Sequence, residues 1–122
     1  MPRHYFALDL HDDPDLIAEY ERWHRAENIW PEIIESILEA GVHELEIFRA
    51  GNRLVLVMDV DPQFSAAAKD TADAANPRVQ EWESLMWKFQ RSLPFAKPGQ
   101  KWVSMTSIFS LQQVLTERLR DM

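Results

Sequence analysis

Val42-His-Glu-Leu-Glu-Ile-Phe-Arg49, then Ala50-Gly51-Asn52, then Leu54-Val-Leu-Val-Met-Asp-Val60 is the stretch that decides the fold. The first run alternates weakly between apolar and polar residues, as a strand with one wet face does. The second run is more apolar and rich in β-branched residues, which suit a pleated surface. Ala50-Gly51-Asn52 between them has turn chemistry, and Asp61-Pro62 closes the second run. The two runs therefore form an antiparallel hairpin in the middle of the chain.

Upstream, Glu32 to Ala40 has helical spacing, with Ile33, Ile34, Ile37 and Leu38 as its apolar stripe and Gly41 placed to end it. Trp30-Pro31 interrupts an earlier helix that starts at Asp13-Pro14, a cap followed by a first-turn proline. Leu16, Ile17, Tyr20 and His24 share one side of that helix. Before it, residues 3–11 read as a strand. His4, Phe6, Leu8 and Leu10 lie on one face, and Tyr5, Ala7, Asp9 and His11 on the other.

Downstream, residues 63–75 are Ala-rich and helix-favouring. Asn76-Pro77 restarts a second helix whose stripe is Val79, Trp82, Leu85, Met86, Phe89 and Leu93. Residues 94–100 read as loop, residues 102–109 as the last strand, and residues 111–120 as a short terminal helix. The order is β-α-β-β-α-β plus a tail, the ferredoxin-like α+β pattern. Residues 1–110 form one domain and residues 111–122 a helical tail. Helices cover one face of such a sheet. The other face carries aromatic and apolar groups here, so a homodimer is the expected way to bury it.

Composition narrows the function. The 122-residue chain suits a single core, and 46% hydrophobic residues are enough to build one. A net charge of −7 without a Lys/Arg cluster argues against nucleic acid and against anionic membrane surfaces. The absence of cysteine removes disulfides, thiolate catalysis and Cys-based zinc sites. The N-terminus lacks a secretory apolar run, and no stretch nears the roughly 18 apolar residues of a membrane span. A cytoplasmic location is expected. None of the four histidines forms a His-x-x-x-His pair, and His11-Asp12-Asp13 overlaps a helix cap, so no metal is expected. Nor does a P-loop, a Rossmann glycine pattern or a nucleophile elbow occur.

Tyr20-Glu-Arg-Trp23-His24-Arg-Ala-Glu-Asn28-Ile-Trp30-Pro31-Glu32 holds the strongest chemical candidates. Tyr20 and His24 stand at i and i+4 on one helix face. Imidazole is the side chain best suited to moving protons near neutrality. Spacing alone favours the plainer reading, two half-buried helix residues satisfied by local hydrogen bonds. Trp87 falls well off the apolar stripe, either as a contact with another subunit or as a flat platform for a sugar ring. Trp82 lies within the stripe, which makes it core.

At these residues the chain resembles the L-rhamnose mutarotase family, including its L-fucose mutarotase-like members. The matching pieces are Glu19-Tyr20, His24, Ile29-Trp30-Pro31-Glu32, Gly41-Val42-His43, and Trp87-Lys88-Phe89 followed by Leu93-Pro94. The likeness runs from about Arg3 to Phe109. It implies a dimeric ferredoxin-like α/β barrel that interconverts the α and β anomers of a 6-deoxy sugar, L-rhamnose or L-fucose, without a cofactor. His24 matches the family's catalytic proton donor, and Tyr20 a substrate-binding tyrosine. Trp87 matches the second of a substrate-contacting Trp pair, and the first falls near Met86, or at Trp82 with the gap placed differently.

The chain departs from the family in three places. The stretch from His24 to Trp30 is two residues longer, Leu45 stands where a sugar-contacting tyrosine is expected, and the tail beyond Ser110 is extra. These departures bear on the identity of the sugar more than on the reaction. Ring opening needs a proton taken from the anomeric hydroxyl and one given to the ring oxygen, so a second proton carrier is required. Tyr20, a carboxylate such as Asp9, or a water fills that role. The rival readings are an oxidative enzyme of another dimeric α/β-barrel family (a cofactor-free monooxygenase or a haem protein) and a non-catalytic sugar-binding module.

Overall fold

The computed structural model describes residues 2–121, so Met1 and Met122, the outermost residues of the expected domain and tail, lie outside the described residues. The elements run β1 (Arg3–Leu10), α1 (Pro14–Trp23), α2 (Pro31–Glu39), β2 (Val42–Ala50), β3 (Arg53–Val60), α3 (Ala66–Ala75), α4 (Pro77–Trp87), β4 (Gln90–Arg91), β5 (Val103–Ser104) and α5 (Leu111–Arg120). The sheet is antiparallel in the order β2-β3-β1, with β4 and β5 sharing the outer edge of β1. This is the ferredoxin-like α+β arrangement expected from the sequence, the protomer architecture of the dimeric α/β-barrel class.

Register decides which side chains meet the helices. Phe6 pairs with Leu56 and Leu8 with Leu54 across β1 and β3, and Ile47 pairs with Leu56 across β2 and β3. Facing residues of an antiparallel pair share one side of the sheet. On that side Leu8, Leu10, Leu54 and Leu56 are buried, Leu10 and Leu54 in one cluster with residues of α1, α2 and α4, and Leu56 in a second that includes Ile37 of α2. On the other side lie Tyr5, Val55, Val57 and Phe48, with Tyr5 43% and Phe48 53% exposed. The Arg3–Asp59 and Arg53–Asp9 ion pairs, at 2.7 and 2.8 Å, border this open face. The aromatic and apolar character expected for it is present.

The helix starts follow from caps. Asp13 accepts from the amides of Asp15 and Leu16, and Asn76 from those of Arg78 and Val79. Such caps satisfy amides that the first helical turn leaves unpaired, typically stabilising by about 1 kcal/mol each. The helix expected from residue 63 begins only at Ala66, because the Ser65 hydroxyl caps it through the Ala68 amide.

Three other boundaries shift. The helix from Pro14 stops at Trp23 rather than running to Trp30. The stripe expected to continue through Phe89 and Leu93 leaves helix at Trp87, and Gln90–Arg91 pairs with Leu10 and Asp9 instead. The expected strand over residues 102–109 shrinks to Val103–Ser104, followed by one further bond from the Met105 amide to the Tyr5 carbonyl. In the same register Thr106 and Ser107 would face His4 and Arg3, but no strand pairing forms there among the described residues. Beyond that point Ile108, Phe109, Leu111, Leu115 and Leu119 are all exposed.

Candidate functional site

The helices do not close down on the sheet. A cavity of about 1390 Å³ opens between them and is lined by Tyr20, His24, Trp82, Gln90, Leu45 and Lys101, among others. The end of α1 builds its chemical corner. The His24 backbone amide turns to the Glu21 carbonyl at 3.1 Å instead of reaching back to Tyr20. That leaves the Tyr20 carbonyl among the orphaned acceptors of a helix C-terminus. The His24 ring fills the gap, with Nδ1 2.7 Å from that oxygen. A carbonyl oxygen only accepts, so Nδ1 carries the hydrogen and Nε2 of the neutral ring keeps its lone pair. Asn28 donates to the Arg22 carbonyl at 2.8 Å and ties the loop after His24 back to α1.

Burial is the main influence on both groups. It holds the His24 imidazolium below the ordinary value of 6.5, against the bond to the Tyr20 carbonyl, which raises it. Burial also pushes the Tyr20 phenol up to about 12; the bond from Gln90 opposes this and the charge of Glu83 adds to it. At neutral pH the pair is thus a neutral imidazole beside a protonated phenol, their ring centres 4.4 Å apart.

Trp82 is the hub behind them. Its ring takes the edges of His24 at 5.5 Å, Trp30 at 5.2 Å and Trp23 at 6.3 Å. It is buried in the core, as its place in the stripe requires, and it also lines the cavity. Arg78 lies over the Trp30 ring at 4.0 Å and pins the Trp30-Pro31 corner to α4. Trp30 itself does not line the cavity.

Trp87 sits elsewhere. It is 38% exposed and is not among the cavity-lining residues. The Lys101 ammonium lies 4.7 Å from its ring centre and pairs with Glu83, and both charged groups line the cavity. Trp87 thus adjoins the cavity through Lys101. Met86, its neighbour, is buried and lines the cavity directly.

Asp9, named as one possible second proton carrier, is held away from the site. Its carboxylate accepts two bonds from Arg53 at 2.8 and 3.1 Å, and its partners in register place it on the open side of the sheet. Gln90 is the residue that sequence reasoning missed. It opens β4 opposite Leu10, so its side chain reaches the helix side, where Nε2 donates to the Tyr20 hydroxyl at 3.3 Å. Its Oε1 is buried without a partner. In the sequence Gln90 stands among Lys88, Arg91 and Ser92 with nothing to single it out, and it gains meaning only once β4 turns it toward the cavity. Among the described residues no three His, Cys, Asp or Glu side chains converge as metal ligands would.

Comparison with known proteins bears on the family and the fold. The family model described as L-rhamnose mutarotase matches residues 3–111. An L-fucose mutarotase of Xanthomonas campestris pv. campestris is 51% identical over 116 residues, covering 95% of this chain and 93% of that one. A protein of Dictyostelium discoideum is 30% identical over 109 residues, covering 86% of each chain. Among solved structures, an L-rhamnose mutarotase of Formosa agariphila superposes with a TM-score of 0.65 at 20% identity, over 91% of this chain and 99% of that one. Tetracenomycin F2 cyclase of Streptomyces glaucescens superposes with a TM-score of 0.57 at 17% identity, over 90% and 96%. At such identities the two structures speak for the fold alone, and one fold serves many reactions. The family match and the Xanthomonas relative carry the assignment: this chain belongs to the L-rhamnose mutarotase family.

Proposed function

We propose that this mutarotase acts on a 6-deoxy-L-hexose, with L-fucose as the first sugar to test and L-rhamnose the second, and that His24 moves the proton. The observation that supports the role of His24 most directly is the bond from Nδ1 to the Tyr20 carbonyl, which leaves Nε2 as a free base inside the cavity. The 51% identity to an L-fucose mutarotase supports the choice of sugar.

The reaction balances with one proton. His24 Nε2 takes the hydrogen of the anomeric hydroxyl as that C–O bond becomes a carbonyl. The electron pair of the breaking bond between the anomeric carbon and the ring oxygen stays on the ring oxygen. The imidazolium then returns the proton to that oxygen. The aldehyde rotates, and the same steps in reverse close the ring on its other face. Tyr20, with its phenol held up at about 12, stays protonated and serves as a hydrogen-bond donor to the developing charge. His24 itself, or a water it shares, fills the place of the second carrier. Trp87 steadies Lys101 at the rim.

Saturation-transfer NMR on the anomeric protons tests the reading. The protein is expected to speed exchange of L-fucose well above the buffer rate, and a panel of free sugars ranks its substrates. Exchange at the buffer rate for every sugar would defeat the proposal. Sugar-induced tryptophan fluorescence without exchange would point to a binding module, and turnover of an aromatic compound to a monooxygenase.

The homodimer is part of the same proposal. The open sheet face offers Tyr5, Phe48, Val55 and Val57 to a second copy, and the exposed Leu111, Leu115 and Leu119 of α5 also lack cover. Contiguous apolar surface of this kind marks an interaction site. Phe48→Glu is expected to halve the mass seen by light scattering while leaving the fold intact, since an exposed site away from special features usually shifts stability by only about 0.5 kcal/mol. A wild-type protein already at monomer mass would sink the dimer. The cytoplasmic location expected from composition stands as a proposal too. No described helix is long and apolar enough to cross a membrane.

A further inference from the structure

We propose that Gln90 is a positioning and specificity residue: its amide aims the Tyr20 hydroxyl hydrogen into the cavity and offers its own carbonyl oxygen to one hydroxyl of the sugar. The proposal rests on the mutarotase reading and adds to it a means of telling one sugar from another.

Gln90 is only 4% exposed. An uncharged polar side chain so deeply placed is normally paired at both ends. Here one end is used and one is not. Nε2 donates to the Tyr20 oxygen at 3.3 Å, while Oε1 has no partner. Donation from Gln90 occupies the phenol as an acceptor, so the phenol's own hydrogen remains to be given to a ligand. The backbone holds this arrangement. Leu10 pairs with Gln90 in the sheet, and the fully buried Phe89 packs edge-on against the Tyr20 ring at 6.0 Å. Gln90, Tyr20 and His24 all line the same cavity. A buried acceptor without a protein partner is matched by a ligand hydroxyl, and sugars differ from one another in where their hydroxyls point. A site built to bond one hydroxyl rejects the analogue lacking it far more strongly than an apolar pocket does.

The test compares L-fucose with its single-deoxy analogues in the wild type and in Gln90→Leu. The readouts are kcat/KM from anomer exchange and Kd from tryptophan fluorescence. In the wild type, loss of one particular hydroxyl is expected to cost tenfold or more. In Gln90→Leu that one penalty is expected to shrink to about threefold or less while the penalties at other positions stay. Equal penalties at every position in a folded variant would overturn the proposal, because a merely structural glutamine lowers stability without changing which hydroxyl matters. Gln90→Glu adds a second arm that does not depend on Gln90→Leu folding. A carboxylate only accepts, so it draws the Tyr20 hydrogen away from the sugar and should lower kcat more than KM rises. A Gln90→Glu protein with wild-type kcat would count against the aiming role. A wild type that binds sugar without speeding exchange overturns the mutarotase reading, and the binding arm still decides Gln90. Absence of both binding and exchange overturns both.

Discussion

His24→Ala is expected to lower enzyme-driven anomer exchange by about 10²–10⁴-fold, the usual contribution of a well-placed acid–base group. The fold should survive. The variant loses one bond to the Tyr20 carbonyl, a net stabilisation of about 1 kcal/mol. Saturation-transfer NMR measures the rate, and near-UV circular dichroism checks the fold. Unchanged exchange in a folded variant would remove His24 from the mechanism. The pH dependence sharpens the test. The working form is neutral imidazole, and burial holds the folded pKa below the ordinary 6.5. Activity above the buffer rate should therefore persist as pH falls through 6.5 and disappear only as it passes the lowered folded value. Stability follows the same group. The unfolded chain binds this proton at a higher pH than the folded one, so acidification from 6.5 down to the folded value costs stability, and none is lost above that window. An activity that rose on acidification would mean that the imidazolium is the working form.

Trp82→Ala should cost about 3–5 kcal/mol in urea unfolding, the usual range for deleting a large buried aromatic. Three rings lean on it, from the end of α1, from the Trp30-Pro31 corner and from His24 itself. Its removal opens a void where α1, α2 and α4 meet and frees the imidazole to leave its position. Exchange activity should fall with stability. Trp82→Phe keeps an aromatic edge and should lose much less of both. With one placement of the gap the resemblance makes this position a sugar contact (the other puts that contact near Met86), whereas the stripe assigns it to the core. A Trp82→Ala protein with wild-type stability and only a raised KM would favour the sugar contact.

The hairpin and the helix caps were legible along the chain because they depend on near neighbours. Turn residues, the alternation of Val42–Val60, and Asp13-Pro14 and Asn76-Pro77 act over a few positions. The strand ends were not legible. Phe89 and Leu93 keep helical spacing from Val79, yet pairing of Gln90 and Arg91 with β1 takes that stretch out of the helix. Ala-rich residues after Asp61 suit a helix anywhere, and only the Ser65 cap fixes its start. The terminal strand keeps only Val103–Ser104, and its pairing with Ala7 and Phe6 is set by contact with β1 rather than by near neighbours.

The site divides the same way. Tyr20 and His24 share a helix face by spacing alone, and the resemblance marks them as the chemical pair. Composition and motif order were enough for the fold class, the charge and the family. Tertiary structure alone decided that the imidazole completes the end of α1, that Asp9 faces the other side of the sheet, that Trp87 stands behind Lys101, and that Gln90 reaches the phenol of Tyr20. The physical reason is distance along the chain. Helix and turn preferences are set by neighbours a few residues apart, while a side chain's partner is set by which strand edge carries it toward which helix, and that depends on distant pairing: Arg53 reaches Asp9 across 44 residues and Gln90 reaches Tyr20 across 70.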